Sequence, residues 1–151
     1  MPSPIITPDL VDLGLEAPDR QTATRQLAQR LAARGRVTDL DGFLADVTAR
    51  EQQMSTGIEG GIGIPHARSA FVTEPSLAFA RSKEGVDFGA ADGPAHLIFL
   101  IAAPDGGGSA HMTILAALAR RLVRASFREA LATAPDEQTV VDVVTKEVLG
   151  S

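Results

Sequence analysis

Hydrophobic positions along this chain change period several times, and each change marks an element. From Asp19 to about Arg34, Ala23, Leu27, Ala28 and Leu31 recur at helical spacing, with Asp19 placed to cap and Gly35 to stop the helix. Asp39 opens a second such stretch through Leu40, Phe43, Leu44 and Val47. Residues 57–63 are glycine-rich and read as irregular, and Ile62 to Pro65 reads as a short strand. Leu77 to Ser82 and Val86 to Phe88 read as two further strands. Leu97 to Ala103 is an unbroken apolar run, the pattern of a strand buried on both faces. After the loop at 104–108, Ser109 is placed to cap a helix that turns Met112, Leu115, Leu118, Leu122 and Val123 inward. Ser126 and Glu129 have capping-box spacing for a short helix through Leu131. Asp136 to Val148 is a last helix with Val140, Val144 and Val148 on one face. Helices and strands in this mixed order predict an α/β sandwich.

Length limits this to one domain: 151 residues suffice for one core, read as a single unit over 1–151 with its ordered part at about 5–148. No repeat or low-complexity segment interrupts it, and the only composition shift is the closing Gly150-Ser151. Hydrophobic content of 44% with 22% charged residues is that of a water-soluble globular domain. The absence of cysteine removes disulfides, thiolate metal sites and cysteine nucleophiles. Six Phe with no Trp or Tyr supply little for base stacking, and a net charge of −5 opposes binding to nucleic-acid phosphates. The same charge favours encounter with a basic protein. No apolar run reaches membrane-spanning length, and Met1-Pro2-Ser3-Pro4 does not open a secretory signal, so a cytoplasmic location is expected.

The candidate chemistry sits in Gly60-Gly61-Ile62-Gly63-Ile64-Pro65-His66-Ala67-Arg68. Glycines let a bulky group approach, proline restricts the backbone, and His66 is expected to stand at the end of the short strand. Such a histidine is suited to chemistry on a ring nitrogen. His111 follows the buried strand, in the first turn of the next helix, where free N–H groups and the dipole favour phosphate. Ligands of open α/β sheets also collect beyond the carboxyl ends of strands, and Ala103 is such an end. His96 reads as a strand-edge residue. Arg120, Arg121 and Arg124 read as a solvated helix face. The glycines at 106–108 lack the Gly-Lys-Ser/Thr ending of a nucleotide loop. A metal site built on His66 and His111 would have only Asp105 as an obvious helper, too little for zinc.

These residues carry a resemblance. Thr56-Gly57-Ile58 followed by Gly61-Ile62-Gly63-Ile64-Pro65-His66 resembles the active-site signature of the fructose/mannitol-type (type 2) IIA domains of the bacterial sugar phosphotransferase system. Arg50-Glu51 upstream, Pro75 to Phe79, Gly85 to Phe88, Leu97 to Pro104, His111 and Leu115 to Arg120 fit the same family in order, so the likeness runs from about Ile5 to Val148. Ala67 stands where relatives often carry Gly or Cys, another small residue.

The resemblance implies the fold of that family, a mixed β-sheet sandwiched by helices. It implies that His66 is the phosphoryl acceptor, attacking as a neutral imidazole, through Nε2 by the family's habit. The donor would be phospho-HPr and the acceptor a IIB domain, which in fructose permeases is covalently linked along with the membrane IIC domain. The chain's end after its last helix would fit a domain taken from such a protein. His111 would contact the phosphoryl oxygens or the ring, Arg50 would offset their charge, and Thr56 would donate its hydroxyl to them. No organic cofactor and no metal are implied. The expected function is that of a phosphotransferase component for fructose uptake; the alternative is a nitrogen-type regulatory IIA protein acting through its phosphorylation state.

Overall fold

The computed structural model describes residues 5–105 and 110–148, with backbone alone for 110–112. At its centre the unbroken apolar run becomes a long strand, Ala95–Pro104, flanked on one side by Ser76–Val86. In chain order the elements are β1 (Val11–Asp12), α1 (Arg20–Ala33), α2 (Leu40–Gln53), β2 (Gly57–Ile58), β3 (Ile62–Gly63), β4 (His66–Ser69), β5 (Ser76–Val86), β6 (Ala95–Pro104), α3 (Ala110–Leu122), α4 (Ala125–Ala132) and α5 (Glu137–Glu147). The sheet order is β1-β5-β6-β3-β2, with β4 also on β6. The β5–β6 and β2–β3 pairs are antiparallel; β1–β5, β3–β6 and β4–β6 are parallel.

Successive side chains of a strand point to opposite faces, and both faces of this sheet are covered. Ala78, Ala80, Ile98, Leu100 and Ala102 pack with Leu27, Leu31, Phe43 and Val47 of α1 and α2. Leu77, Phe79, Leu97, Phe99 and Ile101 pack with Ile114, Leu118, Phe127, Leu131, Val140 and Val144 of α3, α4 and α5. Across the central pair the Phe79 and Phe99 rings lie 4.9 Å apart, tilted by 55°. The mixed sheet between two helical layers is the architecture expected.

The helix ends follow local chemistry. Asp19 accepts from the N–H of Thr22 at 2.8 Å, Asp39 from Gly42 at 3.1 Å and Asp136 from Thr139 at 2.8 Å. Gly35 closes α1 with φ of +74°.

Several expectations give way. Gly57–Ile58 is a strand, because the turn at 59–61 folds it back onto β3. The two strands read around residues 77–88 are one, β5, which keeps its pairing with β6 through a register shift between Arg81 and Val86 and ends before Phe88. Val123 lies past the end of α3 and is 78% exposed instead of facing the core. Ser126 is inside α4, whose N-cap is Arg124 without a side-chain cap bond, so the capping box does not form. The Ser109 cap, the glycines at 106–108 and the Met112 side chain lie outside the described residues. Among the described residues no helix is long and apolar enough to cross a membrane.

Candidate active site

The strand expected to end in Pro65 is interrupted instead. β3 stops at Gly63 and His66 begins β4, yet both pieces lie along β6 in one register, Gly63 opposite Ile98 and His66 opposite Ile101. The break falls at Ile64-Pro65. Proline has no N–H to give the ladder, although its carbonyl still accepts from Ile101 N–H at 3.0 Å, and the Ile64 N–H faces the β2 side, where it meets the Thr56 carbonyl at 3.1 Å. His66 is therefore the first residue of a strand and not the end of one.

Glycines make this path possible. A Cβ at Gly63 would stand 2.7 Å from the Phe88 ring, and one at Gly57 would stand 2.6 Å from the Phe88 carbonyl oxygen. Their role is close approach to the segment around Phe88, which bonds back through Gly57 N–H to the Phe88 carbonyl at 2.9 Å.

His66 is 8% exposed, and its Nδ1 lies 2.8 Å from the Ile64 carbonyl oxygen. A carbonyl only accepts, so Nδ1 carries the proton and the neutral ring keeps its lone pair on Nε2. Burial is the main cause that pushes the His66 pKa below the usual imidazole value. The Ile64 carbonyl opposes it, the Arg50 charge adds to it, and the Glu51 carboxylate opposes it. The result favours the unprotonated ring, which is the nucleophilic form.

Arg50, in the last turn of α2, donates to the Met54 carbonyl at 3.0 Å and stands near enough for its charge to act on His66. Thr56 is buried, but its hydroxyl proton is engaged: Oγ1 donates to Glu51 Oε1 at 2.6 Å, and the Thr56 N–H donates to Glu51 Oε2 at 2.9 Å. In this structure Thr56 holds Glu51, where the sequence suggested a hydroxyl aimed at phosphoryl oxygens. His111 lies in the first turn of α3, and its side chain lies outside the described residues. Partners across a parallel ladder share a face, so His66 is on the side of Ile101, the side covered by α3. Arg68 donates to the Asp105 carbonyl at 3.0 Å and Asp105 N–H bonds the Ser69 carbonyl at 3.1 Å, which ties β4 to the start of the segment leading into α3.

His96 is the second residue of β6, exposed, with Nδ1 2.9 Å from the Ser82 carbonyl. Five residues of strand separate it from Ile101, roughly 17 Å at strand rise, so it does not join His66. Arg121 is engaged with the Glu147 carbonyl at 2.6 Å, so the basic helix face is not wholly solvated. Among the described residues no group of three or more metal-binding side chains occurs.

Sequence reading paired Glu51 with Arg50 without giving it a task, and it passed over Arg20 altogether. Arg20 Nη1 lies 3.0 Å from Glu51 Oε2, its Nε donates to the Asp87 carbonyl at 2.9 Å, and its guanidinium lies 5.8 Å from the Phe88 ring centre. No local pattern signals a contact 31 residues away.

Comparison with known proteins identifies the family. The family model for the phosphoenolpyruvate-dependent sugar phosphotransferase system, EIIA 2, matches residues 4–147. A fructose-specific EIIA component of Haloferax volcanii is 43% identical over 145 residues, covering 95% of this chain and 94% of that protein. A fructose-specific EIIABC component of Bacillus subtilis is 36% identical over 143 residues; the match covers 94% of this chain but 22% of that longer protein. The nitrogen regulatory protein IIA-Ntr of Neisseria meningitidis superimposes with a TM-score of 0.85 at 30% identity, covering 93% of this chain and 97% of the other. The mannitol IIA of Escherichia coli shares the fold, with a TM-score of 0.78 at 24% identity, over 92% of this chain and 98% of the other. A solved complex of mannitol IIA with phosphorylated mannitol IIB from Escherichia coli shares the fold as well, with a TM-score of 0.77 at 24% identity, over 97% of this chain and 98% of the other. On the match along nearly its whole length, the chain belongs to the EIIA 2 family of the phosphoenolpyruvate-dependent sugar phosphotransferase system and is a phosphoryl carrier of that system.

Proposed function

We propose that this protein takes a phosphoryl group from phospho-HPr onto His66 Nε2 and passes it to a IIB domain in the uptake of fructose, in the cytoplasm. The observation that carries this reading is the buried imidazole whose Nδ1–H is given to the Ile64 carbonyl, leaving the Nε2 lone pair to react. In the transfer, the Nε2–P bond forms as the donor's N–P bond breaks, and that bond's electron pair returns to the donor ring. No proton need leave His66, because the Nδ1 proton stays on the ring, donated to the Ile64 carbonyl. The Arg50 guanidinium would offset charge on the moving phosphoryl oxygens, and His111 would reach them from the first turn of α3. Thr56 would act by holding Glu51 and, once that bond is released, could offer its hydroxyl to the same oxygens. Fructose as the sugar rests on the names of the relatives from Haloferax volcanii and Bacillus subtilis.

The test is intact-protein mass after incubation with phosphoenolpyruvate, enzyme I and HPr. The wild type should gain an acid-labile phosphoryl adduct and His66→Ala should gain none. A labelled His66→Ala chain would overturn the assignment. A second reading, a regulatory protein of the nitrogen type, draws on the similarity to IIA-Ntr. It predicts the same adduct but no transfer onward to a fructose IIB domain.

A further inference from the structure

We propose that Glu51, anchored by Arg20, is a positioning residue that sets the orientation and tautomer of the His66 ring; this rests on the reading of His66 as the reacting group. A single series of hydrogen bonds joins them. Arg20 Nη1 and the Thr56 N–H both meet Glu51 Oε2, at 3.0 and 2.9 Å, and the Thr56 hydroxyl meets Oε1 at 2.6 Å. The Thr56 carbonyl receives the Ile64 N–H at 3.1 Å, and the Ile64 carbonyl receives His66 Nδ1–H at 2.8 Å. Each segment in this series is held by the one before it. β2 and β3 are only two residues each, too short to orient Ile64 by pairing alone.

The carboxylate is the strong member. It is an ionised acceptor with three donors, its side chain is 12% exposed, and bonds to a charged partner are shorter and stronger than neutral ones. Arg20 is itself braced by the segment that follows β5, through the Asp87 carbonyl and the Phe88 ring. Phe88 in turn is the ring that Gly63 packs against. Glu51 thus joins α1, α2 and the segment around Phe88 at the point from which the interrupted strand departs. A cleft of about 440 Å³ is lined by Arg20, Glu51, Ser55, Pro65 and Phe88. Groups that orient a reacting imidazole commonly act in this indirect way.

The experiment uses 15N-labelled protein and long-range spectra of the His66 ring at neutral pH, with phosphoryl uptake from phospho-HPr measured on the same samples. Wild type should show the Nδ1–H tautomer alone. Glu51→Gln and Thr56→Val should show mixed tautomers and slower uptake, by roughly 10–100-fold for a displacement of this kind, while still reaching full labelling. Thr56→Ser, which keeps the hydroxyl, should restore both. Folded Glu51→Gln and Thr56→Val proteins with the wild-type tautomer and rate would overturn the proposal, as would Thr56→Ser behaving like Thr56→Val. If one variant does not fold, the other decides, with Arg20→Gln as a third. If wild type takes no phosphoryl group at all, the functional reading fails, and the tautomer comparison still decides the positioning role.

Discussion

His66 gives its Nδ1–H to the carbonyl of Ile64, two residues earlier, at 2.8 Å. The Pro65 carbonyl accepts from the Ile101 N–H of β6 at 3.0 Å, so the Ile64 carbonyl points to the opposite edge of the strand, where it meets the ring. It fixes which nitrogen is free, and with burial it fixes which protonation state the fold prefers.

The pH dependence follows from the sign of that preference. The folded pKa of His66 lies below its unfolded value, so the unfolded chain binds the proton more readily. His66 therefore costs the fold nothing well above about pH 6.5, and stability falls as pH drops through that value toward the lowered folded pKa. Ring titration by NMR should place the His66 midpoint below that of a model imidazole. A midpoint at or above it would contradict the burial seen here.

Replacing Arg50 by Gln removes a charge that holds the His66 pKa down, so the midpoint should rise. Phosphoryl uptake should slow as well, by about 10-fold or more if the guanidinium meets transferring oxygens. A raised midpoint with unchanged uptake would confine Arg50 to electrostatics of the resting ring.

His111→Ala should slow labelling without abolishing it, because the acceptor remains His66. The loss should be in rate, on the order of 10–1000-fold for one group removed from a charged transition state. Time-resolved mass measurement of the adduct separates this from His66→Ala, which should show none at any time.

Gly63→Ala places a methyl 2.7 Å from the Phe88 ring. Overpacking of this kind costs about 1–3 kcal/mol, and here it should also disturb Ile64 and His66, one and three residues on. Thermal unfolding and uptake should both suffer, and a smaller side chain at Phe88 should recover part of each.

Phe99→Ala in the sheet core should cost about 3–5 kcal/mol while leaving the His66 tautomer unchanged in the protein that remains folded. Phe99 is fully buried against Phe79, and no hydrogen bond in the series from Arg20 to His66 passes through it. Denaturant unfolding beside the ring spectrum checks both halves.

Much was legible from residue order alone. Periodicity and capping side chains located α1, α2, α5 and β6, because a helix stripe, an Asp cap and a doubly buried strand are written in neighbouring residues. The motif around Pro65-His66 identified the family and drew attention to the histidine. Tertiary structure decided the rest. Whether 57–63 is loop or strand depends on a partner, since two-residue strands exist only through pairing. Val123 follows the apolar stripe of α3 but lies beyond the last turn, so the helical pattern placed it inside and geometry left it exposed. The free nitrogen of His66 depends on where the Ile64 carbonyl points, and Ile64 is held through its N–H by the Thr56 carbonyl of another strand's edge. Glu51 gained its role only when Arg20, 31 residues earlier, was folded against it. Local patterns encode elements through neighbours in the chain, whereas a reacting group is oriented by contacts between elements, which no single stretch of sequence contains.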